Sequence, residues 1–192
     1  MHKRKSIFIT GITGFLGSHI AIEAYKQGYH IVGLSNKRTS PKLLKQIKYT
    51  SIKSNISDID KYKDIISKCS IIIHTAAIIE SKNKNIFEIN ISATKKLYHV
   101  AIACNVEQFI FISSRSTIGV SDIPENSNEN SDNFENHNFI DKYTQSKIEA
   151  EKCLVELNKN EKLKLLILCP TAIIGPNDER PTEIGKLINF FI

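Results

Sequence analysis

Tyr143 and Lys147 stand four apart in Tyr143-Thr144-Gln145-Ser146-Lys147, a spacing that puts a phenol and an ammonium on one face of a helix. The chemistry open to that pair is proton transfer, because a nearby ammonium stabilises the phenolate, lowers the phenol pKa and makes tyrosine a usable acid or base near neutral pH. Upstream, Ser114 closes a predicted strand with a further hydroxyl. A second cluster, Thr10-Gly11-Ile12-Thr13-Gly14-Phe15-Leu16-Gly17, directly follows the apolar run Ser6-Ile7-Phe8-Ile9. A strand that ends in such a turn and becomes a helix near Phe15 aims backbone N–H groups and a helix N-terminus at one point, which suits a diphosphate. Gly11 permits the tight turn, Gly14 lets the backbone approach the pyrophosphate, and Gly17 lets the helix lie close on the strand. The same spacing can serve helix–strand packing alone, so the surrounding elements decide.

Those elements alternate. The helix Leu16 to Gln27, stopped by Gly28, leads to a second strand at His30 to Leu34, which completes a βαβ unit. Strand two ends in Leu34-Ser35-Asn36-Lys37-Arg38, where an acid would hold the ribose 2′-hydroxyl of NAD. No acid is there. Ser35 or Asn36 takes its place, and Lys37 and Arg38 are either partners of a 2′-phosphate, which favours NADP over NAD, or decoration of a surface turn before Pro41. A short helix from Pro41 to Ile47 precedes strand three, Tyr49 to Lys53, and Asn55-Ile56-Ser57-Asp58 opens the next helix with Asp58 as N-cap. Strand four, Ser70 to His74, is an isoleucine run of the kind buried on both faces of a parallel sheet. It stops at Thr75-Ala76-Ala77, small residues against which a cofactor can lie, while His74 reads as a packed or hydrogen-bonded side chain.

A helix over 83–104 carries Asn90, Ala93, Leu97, Val100 and Ala101 on one face. Asn90, polar on that face, either ties the helix to a neighbouring strand's backbone or orders water near the cofactor. Strand five, Gln108 to Ile112, runs into Ser113-Ser114. The polar segment 120–138 is a loop, either a lid over the strand ends or a solvated excursion. A helix over 139–159, strand six at Leu163 to Leu168 broken by Cys169-Pro170-Thr171, and a last helix over 181–192 follow. The alternation predicts one α/β domain over residues 1–192 with a doubly wound parallel sheet and helices on both faces.

Composition agrees. The 192 residues, 41% of them apolar, suffice for one domain with a full core. The formal charge of +6 is spread over several helices, without a basic stripe interleaved with aromatics, so nucleic acid is not the expected partner. No apolar run reaches bilayer length and no signal-peptide core follows His2-Lys3-Arg4-Lys5, which predicts no membrane partner and a cytoplasmic location. Cys69, Cys104, Cys153 and Cys169 are far apart and read as buried reduced thiols rather than a metal site or disulfide framework.

The glycine turn, Ser114 and the Tyr143–Lys147 pair, in this order, resemble the short-chain dehydrogenase/reductase superfamily. The T-G-x-x-G-x-x-G form is similar to its extended branch, the NAD-dependent epimerase/dehydratase type. His74-Thr75-Ala76-Ala77, Asn90 to Thr94, Phe109 to Gly119 and Pro170-Thr171-Ala172-Ile173-Ile174-Gly175-Pro176 match as well, so the likeness covers essentially the whole chain. Residues 175–186 resemble the dihydroflavonol-reductase-like group and the neighbouring hopanoid-associated sugar epimerases. The resemblance implies that Tyr143 passes a proton to or from a substrate oxygen. Lys147 would then bind the nicotinamide ribose and hold Tyr143 acidic, and Ser114 would hydrogen-bond the same oxygen. It further implies cofactor contacts from Gly11, Thr13, Gly14, Phe15, Leu16, Gly17, Ser35, Asn36, Lys37, Arg38, Asn55, Ile56, Thr75, Ala76, Ala77, Asn90, Ile112, Pro170, Thr171 and Ile173. Arg115 and Ile118 stand where the family usually has a small residue and a tyrosine, and Asn55 where it has an aspartate. The expected activity is NADP-dependent carbonyl reduction or alcohol oxidation on a small-molecule substrate; a nucleotide-sugar epimerase or dehydratase with tightly held NAD, and a non-catalytic dinucleotide-binding module, are the alternatives. Extended members continue into a carboxyl-terminal substrate lobe that residues 176–192 only begin, so either a fragment, a homodimer or a complementing chain is expected.

Overall fold

The computed structural model describes residues 5–36, 41–118, 141–179 and 183–191. Lys37, Arg38 and the polar segment 120–138 lie outside the described residues. Six strands, β1 (Ser6–Thr10), β2 (His30–Ser35), β3 (Thr50–Lys53), β4 (Ile71–His74), β5 (Gln108–Ile112) and β6 (Lys164–Leu168), form one parallel sheet in the order β3-β2-β1-β4-β5-β6. The order reverses direction between β1 and β4, so the chain leaves those two strands to opposite sides and opens a crevice at their carboxyl ends.

Apolar alternation along the strands builds two cores. In β1, Phe8 enters one with Val32, Ile72, Leu97, Tyr98, Phe109 and Leu154. Ile7 and Ile9 enter the other with Ile31, Ile73, Ala21 and Ala24. Helix α1 (Phe15–Lys26) covers the second face, and α2 (Lys63–Ile66), α3 (Thr94–Ala103) and α4 (Lys142–Asn158) belong to the first; α5 (Glu183–Phe191) comes last. Burial on both sides is why β4 can run Ile71-Ile72-Ile73 before His74. Coverage is uneven at β6, where Leu166 and Leu168 are 42% and 43% exposed while Leu165 and Ile167 pack inward.

Strand boundaries agree with the sequence reading to within a residue. Gly28 ends α1 with φ +93°, a conformation costly for any side chain. Three elements differ. The helix expected over 83–104 begins at residue 86, widens at once into a π-type turn, Glu88–Ala93, that coincides with Asn90, and is α-helical again from Thr94. The short helix near Pro41 is a 3-10 segment, Lys42–Gln46. Asp58 stands at the start of a 3-10 turn but caps nothing, because the Lys61 ammonium, 2.8 Å away, takes its carboxylate instead. No disulfide joins the cysteines; Cys69 alone is buried and the other three are half-buried, which corrects the expectation for those.

Candidate active site

The turn after β1 is built by close approach of backbone to backbone. Gly11 has φ +68° and donates its N–H to the Leu34 carbonyl, while Gly14 N–H donates to the Gly11 carbonyl at 2.8 Å. A Cβ on Gly17 would lie 2.3 Å from the Gly11 oxygen, so only glycine lets α1 begin this near the strand. Gly14 is the N-cap of α1, no side chain caps the helix, and its first turn holds no acid. The amides of Phe15, Leu16 and Gly17 therefore have no partner within the helix, and the positive end of its dipole meets no competing carboxylate. These residues fit the diphosphate of a dinucleotide. The Thr13 and Ser35 hydroxyls share a 2.6 Å hydrogen bond that ties the turn to the end of β2, beside which Asn36 is exposed.

A shelf follows β4. The Thr75 hydroxyl donates to the Thr10 carbonyl at 2.7 Å, and Thr75, Ala76 and Ala77 stay partly open to solvent beside the glycine turn. Behind them runs a buried chain whose direction follows from counting hydrogens. The Thr94 hydroxyl donates to the Asn90 carbonyl, so it must accept from His74 Nε2–H at 2.8 Å. His74 Nδ1 then accepts from the Thr10 hydroxyl at 2.6 Å, and Thr10 Oγ1 accepts from the Ala76 amide at 3.2 Å. Burial, reinforced by the charge on Lys147, pulls the imidazole pKa down to about 3, so it is neutral, packed and hydrogen-bonded, as its sequence context suggested. Asn90 ties its helix not to a strand, as expected, but to the irregular segment after β4: its amide bonds both backbone groups of Ile78 at 2.8 Å and donates to the Ser146 hydroxyl at 2.9 Å, fastening the shelf to α4.

Helix α4 brings Tyr143 and Lys147 to the end of β5. Asp141 starts the helix by accepting from the Tyr143 and Thr144 amides and the Thr144 hydroxyl. Lys147 is buried, donates to the Ile112 carbonyl at 2.7 Å and lies 4.6 Å from the centre of the Phe111 ring. Burial lowers its pKa to about 8, against the opposing influence of Glu151 and Cys169. Tyr143 departs from expectation. Its pKa is raised, chiefly by burial and secondarily by Asp141, while the Ser114 hydroxyl acts the other way by offering a hydrogen bond to the phenolate. The ammonium is engaged elsewhere: it donates to the Ile112 carbonyl, and its nitrogen lies 6.0 Å from the centre of the Tyr143 ring. Ser114 Oγ also accepts from the Ser116 amide and hydroxyl, at 3.2 and 2.9 Å.

Beyond β6 the chain crosses back. The Arg115 amide donates to the Pro170 carbonyl, a Cβ on Gly175 would touch the Phe15 ring at 3.5 Å, and the Glu179 carboxylate accepts from the Lys42 amide at 2.9 Å. Pro170 and Ile173 on this path are half-buried and Thr171 is exposed. Asn55 and Ile56 lie past the β3 edge, Asn55 exposed and accepting from the Ser57 amide, Ile56 buried with its carbonyl bonded to the Tyr62 hydroxyl. The fold thus gathers the glycine turn, Ser35 and the shelf around β1, and Ser114, Tyr143, Lys147 and Ile112 around β5. Sequence reasoning overlooked Asp141, Ser116 and Ser146. Only Asp141 left a signal, an acid two residues before Tyr143, hidden by starting the helix at 139.

A family model described as NAD dependent epimerase/dehydratase family matches residues 7–192. Among curated proteins, a decarboxylating sterol-4-alpha-carboxylate 3-dehydrogenase of Dictyostelium discoideum is 29% identical over 97% of the chain and 59% of its own length. A UDP-glucose 4-epimerase of Vibrio cholerae is 30% identical over 90% and 53%. The solved structure of a UDP-glucuronic acid 4-epimerase from Bacillus cereus in complex with NAD superposes with a TM-score of 0.80 at 22% identity, covering 97% of this chain and 62% of that one, a likeness of fold. The chain spans between half and two thirds of the length of these relatives. No helix among the described residues is long and apolar enough to cross a membrane.

Proposed function

The chain belongs to the NAD dependent epimerase/dehydratase family, and from that premise we propose that it holds a nicotinamide dinucleotide and moves a proton at a substrate oxygen, reducing a carbonyl or oxidising an alcohol of a small molecule. The observation that carries this reading is the convergence of Tyr143, Lys147 and Ser114 where α4 meets the end of β5. The dinucleotide, when bound, supplies or accepts the hydride. The amides of Phe15, Leu16 and Gly17 receive its diphosphate, and Thr75, Ala76 and Ala77 form the floor beneath it. Tyr143 holds the proton that passes to or from the substrate oxygen, Ser114 donates a hydrogen bond to that oxygen as charge grows on it, and Lys147 turns its ammonium from Ile112 toward the ribose and the phenol. Burial raises Tyr143, so the phenol is protonated at neutral pH and ready to donate.

NADPH is the preferred cofactor of this reading, supported by Ser35 and Asn36 at the end of β2 in place of an acid and by Lys37 and Arg38 after them. The 30% identity to a UDP-glucose 4-epimerase favours a second reading, a sugar epimerase or dehydratase that keeps NAD bound. Thermal denaturation with each cofactor separates the two. At a hundredfold excess over Kd a ligand that binds only the folded state adds about 2.7 kcal/mol, which for this size raises Tm by about 5 °C or more. A rise with NADPH and not NADH supports the reductase, a rise with NADH or copurifying NAD supports the second reading, and no response to either rejects both.

A further inference from the structure

Glu151 lies on α4 four residues beyond Lys147 and eight beyond Tyr143, so the three share one helix face. Three consecutive residues at the end of β5 meet that face. Lys147 donates to the Ile112 carbonyl, Tyr143 faces Ser114, and between them the hydroxyl of Ser113, 3% exposed, donates to Glu151 Oε1 in a short hydrogen bond. The same oxygen accepts from the Cys169 thiol at 3.8 Å, just past β6, and the Ser113 amide donates to the Leu168 carbonyl at 2.7 Å. One half-buried carboxylate therefore joins α4 to the ends of both β5 and β6 directly under the site.

We propose that Glu151 is a positioning residue: it is the counter-charge that keeps the buried Lys147 an ammonium, and its bond to Ser113 fixes the strand end that carries Ser114. Of the groups around Lys147, Glu151 and, after it, Cys169 favour its charged form. From α4 it meets Tyr143 and Glu151, from β5 the Phe111 ring and the Ile112 carbonyl, from β4 the neutral His74, and from the exit of β6 the Cys169 thiol. Glu151 is the one carboxylate among them. A helix-face glutamate that merely packed would not have its oxygen shared by donors from two strands.

The inference rests on reading Lys147 as a working group of the site, but its test needs neither substrate nor cofactor. In protein labelled with 13C at the lysine Cε, the Lys147 resonance, identified by its loss in Lys147→Arg, reports the ammonium's titration. It is expected to titrate well below the exposed lysines, near about 8, and in Glu151→Gln to move down by about one further unit, because the isosteric amide keeps a hydrogen bond to Ser113 and removes the charge. Ser113→Ala should leave the midpoint within about 0.3 units, and Glu151→Asp, which restores the charge, should return most of the shift. An unmoved midpoint in folded Glu151→Gln overturns the proposal. If Glu151→Gln does not fold, Glu151→Asp decides instead: a midpoint as low as in a Glu151→Ala protein overturns it. Failure of the wider reading has a different signature, a Lys147→Ala protein that binds NADPH and NADH as the parent does.

Discussion

The two halves of the crevice are held by different forces. Around β1 and α1 the geometry is backbone against backbone, with Gly11, Gly14 and Gly17 so close that a single methyl on Gly17 would reach 2.3 Å from a carbonyl oxygen. Around β5 and α4 it is side chain against strand end, through Tyr143, Lys147, Glu151 and Asn90. In the first half, shape and binding are one property, so a substitution acts on the fold before it acts on a ligand. In the second, a functional atom can be removed while the packing stays.

The largest effect is expected where the halves join, at His74. Its folded pKa of about 3 lies below the usual 6.5, so between those values the unfolded chain binds a proton that the folded chain refuses. The stability contributed is complete above about pH 6.5 and is lost as pH falls toward about 3, at about 1.4 kcal/mol per unit and about 5 kcal/mol in all. Urea denaturation across that range measures it; Asp141 is also lowered and titrates at the acid end, so His74→Asn should remove the upper part of the slope and leave that of the carboxylates. A parent protein equally stable at both ends would break the picture of a neutral imidazole linking the halves.

Tyr143→Phe should lower turnover by about 10³-fold, within the range for a lost proton donor, with Tm and cofactor binding nearly unchanged. A fall in Tm as large as that of a cradle mutant would erase the distinction between the halves. Gly17→Ala, conversely, should cost about 3 kcal/mol of stability because the clash is with backbone and cannot be relieved by a rotamer. Calorimetry checks it, and Gly14→Ala, whose Cβ would meet the same oxygen at 3.1 Å, should cost less. The smallest effect sharpens the cofactor reading: Lys37→Ala with Arg38→Ala should weaken NADPH about 30-fold and NADH less than about 2-fold, because two charge-assisted bonds to a phosphate are lost. Equal weakening would remove the case for NADP.

The same division explains what could be read from the chain. Strands and cradle were legible because their signals are local: an isoleucine run, a glycine spacing, small residues after His74. The shape of the half around β5 and α4 depends on pairs distant in sequence. Asn90 meets Ser146 across 56 residues, and Ser113 meets Glu151 across 38, so neither partner could be named in advance. The direction of Tyr143's shift was missed for a related reason. Spacing predicts that a lysine shares its helix face, but burial of the phenol and the pull of Ile112 on the ammonium are tertiary facts. Asp58 failed through a competitor one turn on, Lys61.

Because every hydroxyl between Ala76 and Asn90 has one hydrogen to give, no link can reverse alone. Whatever lifts the Ala76 amide off Thr10, such as a molecule settling on the shelf, would leave the Thr10 hydroxyl less polarised and weaken its bond to His74 Nδ1. The His74 nitrogen resonances are therefore expected to shift when the Ala76 amide is drawn away.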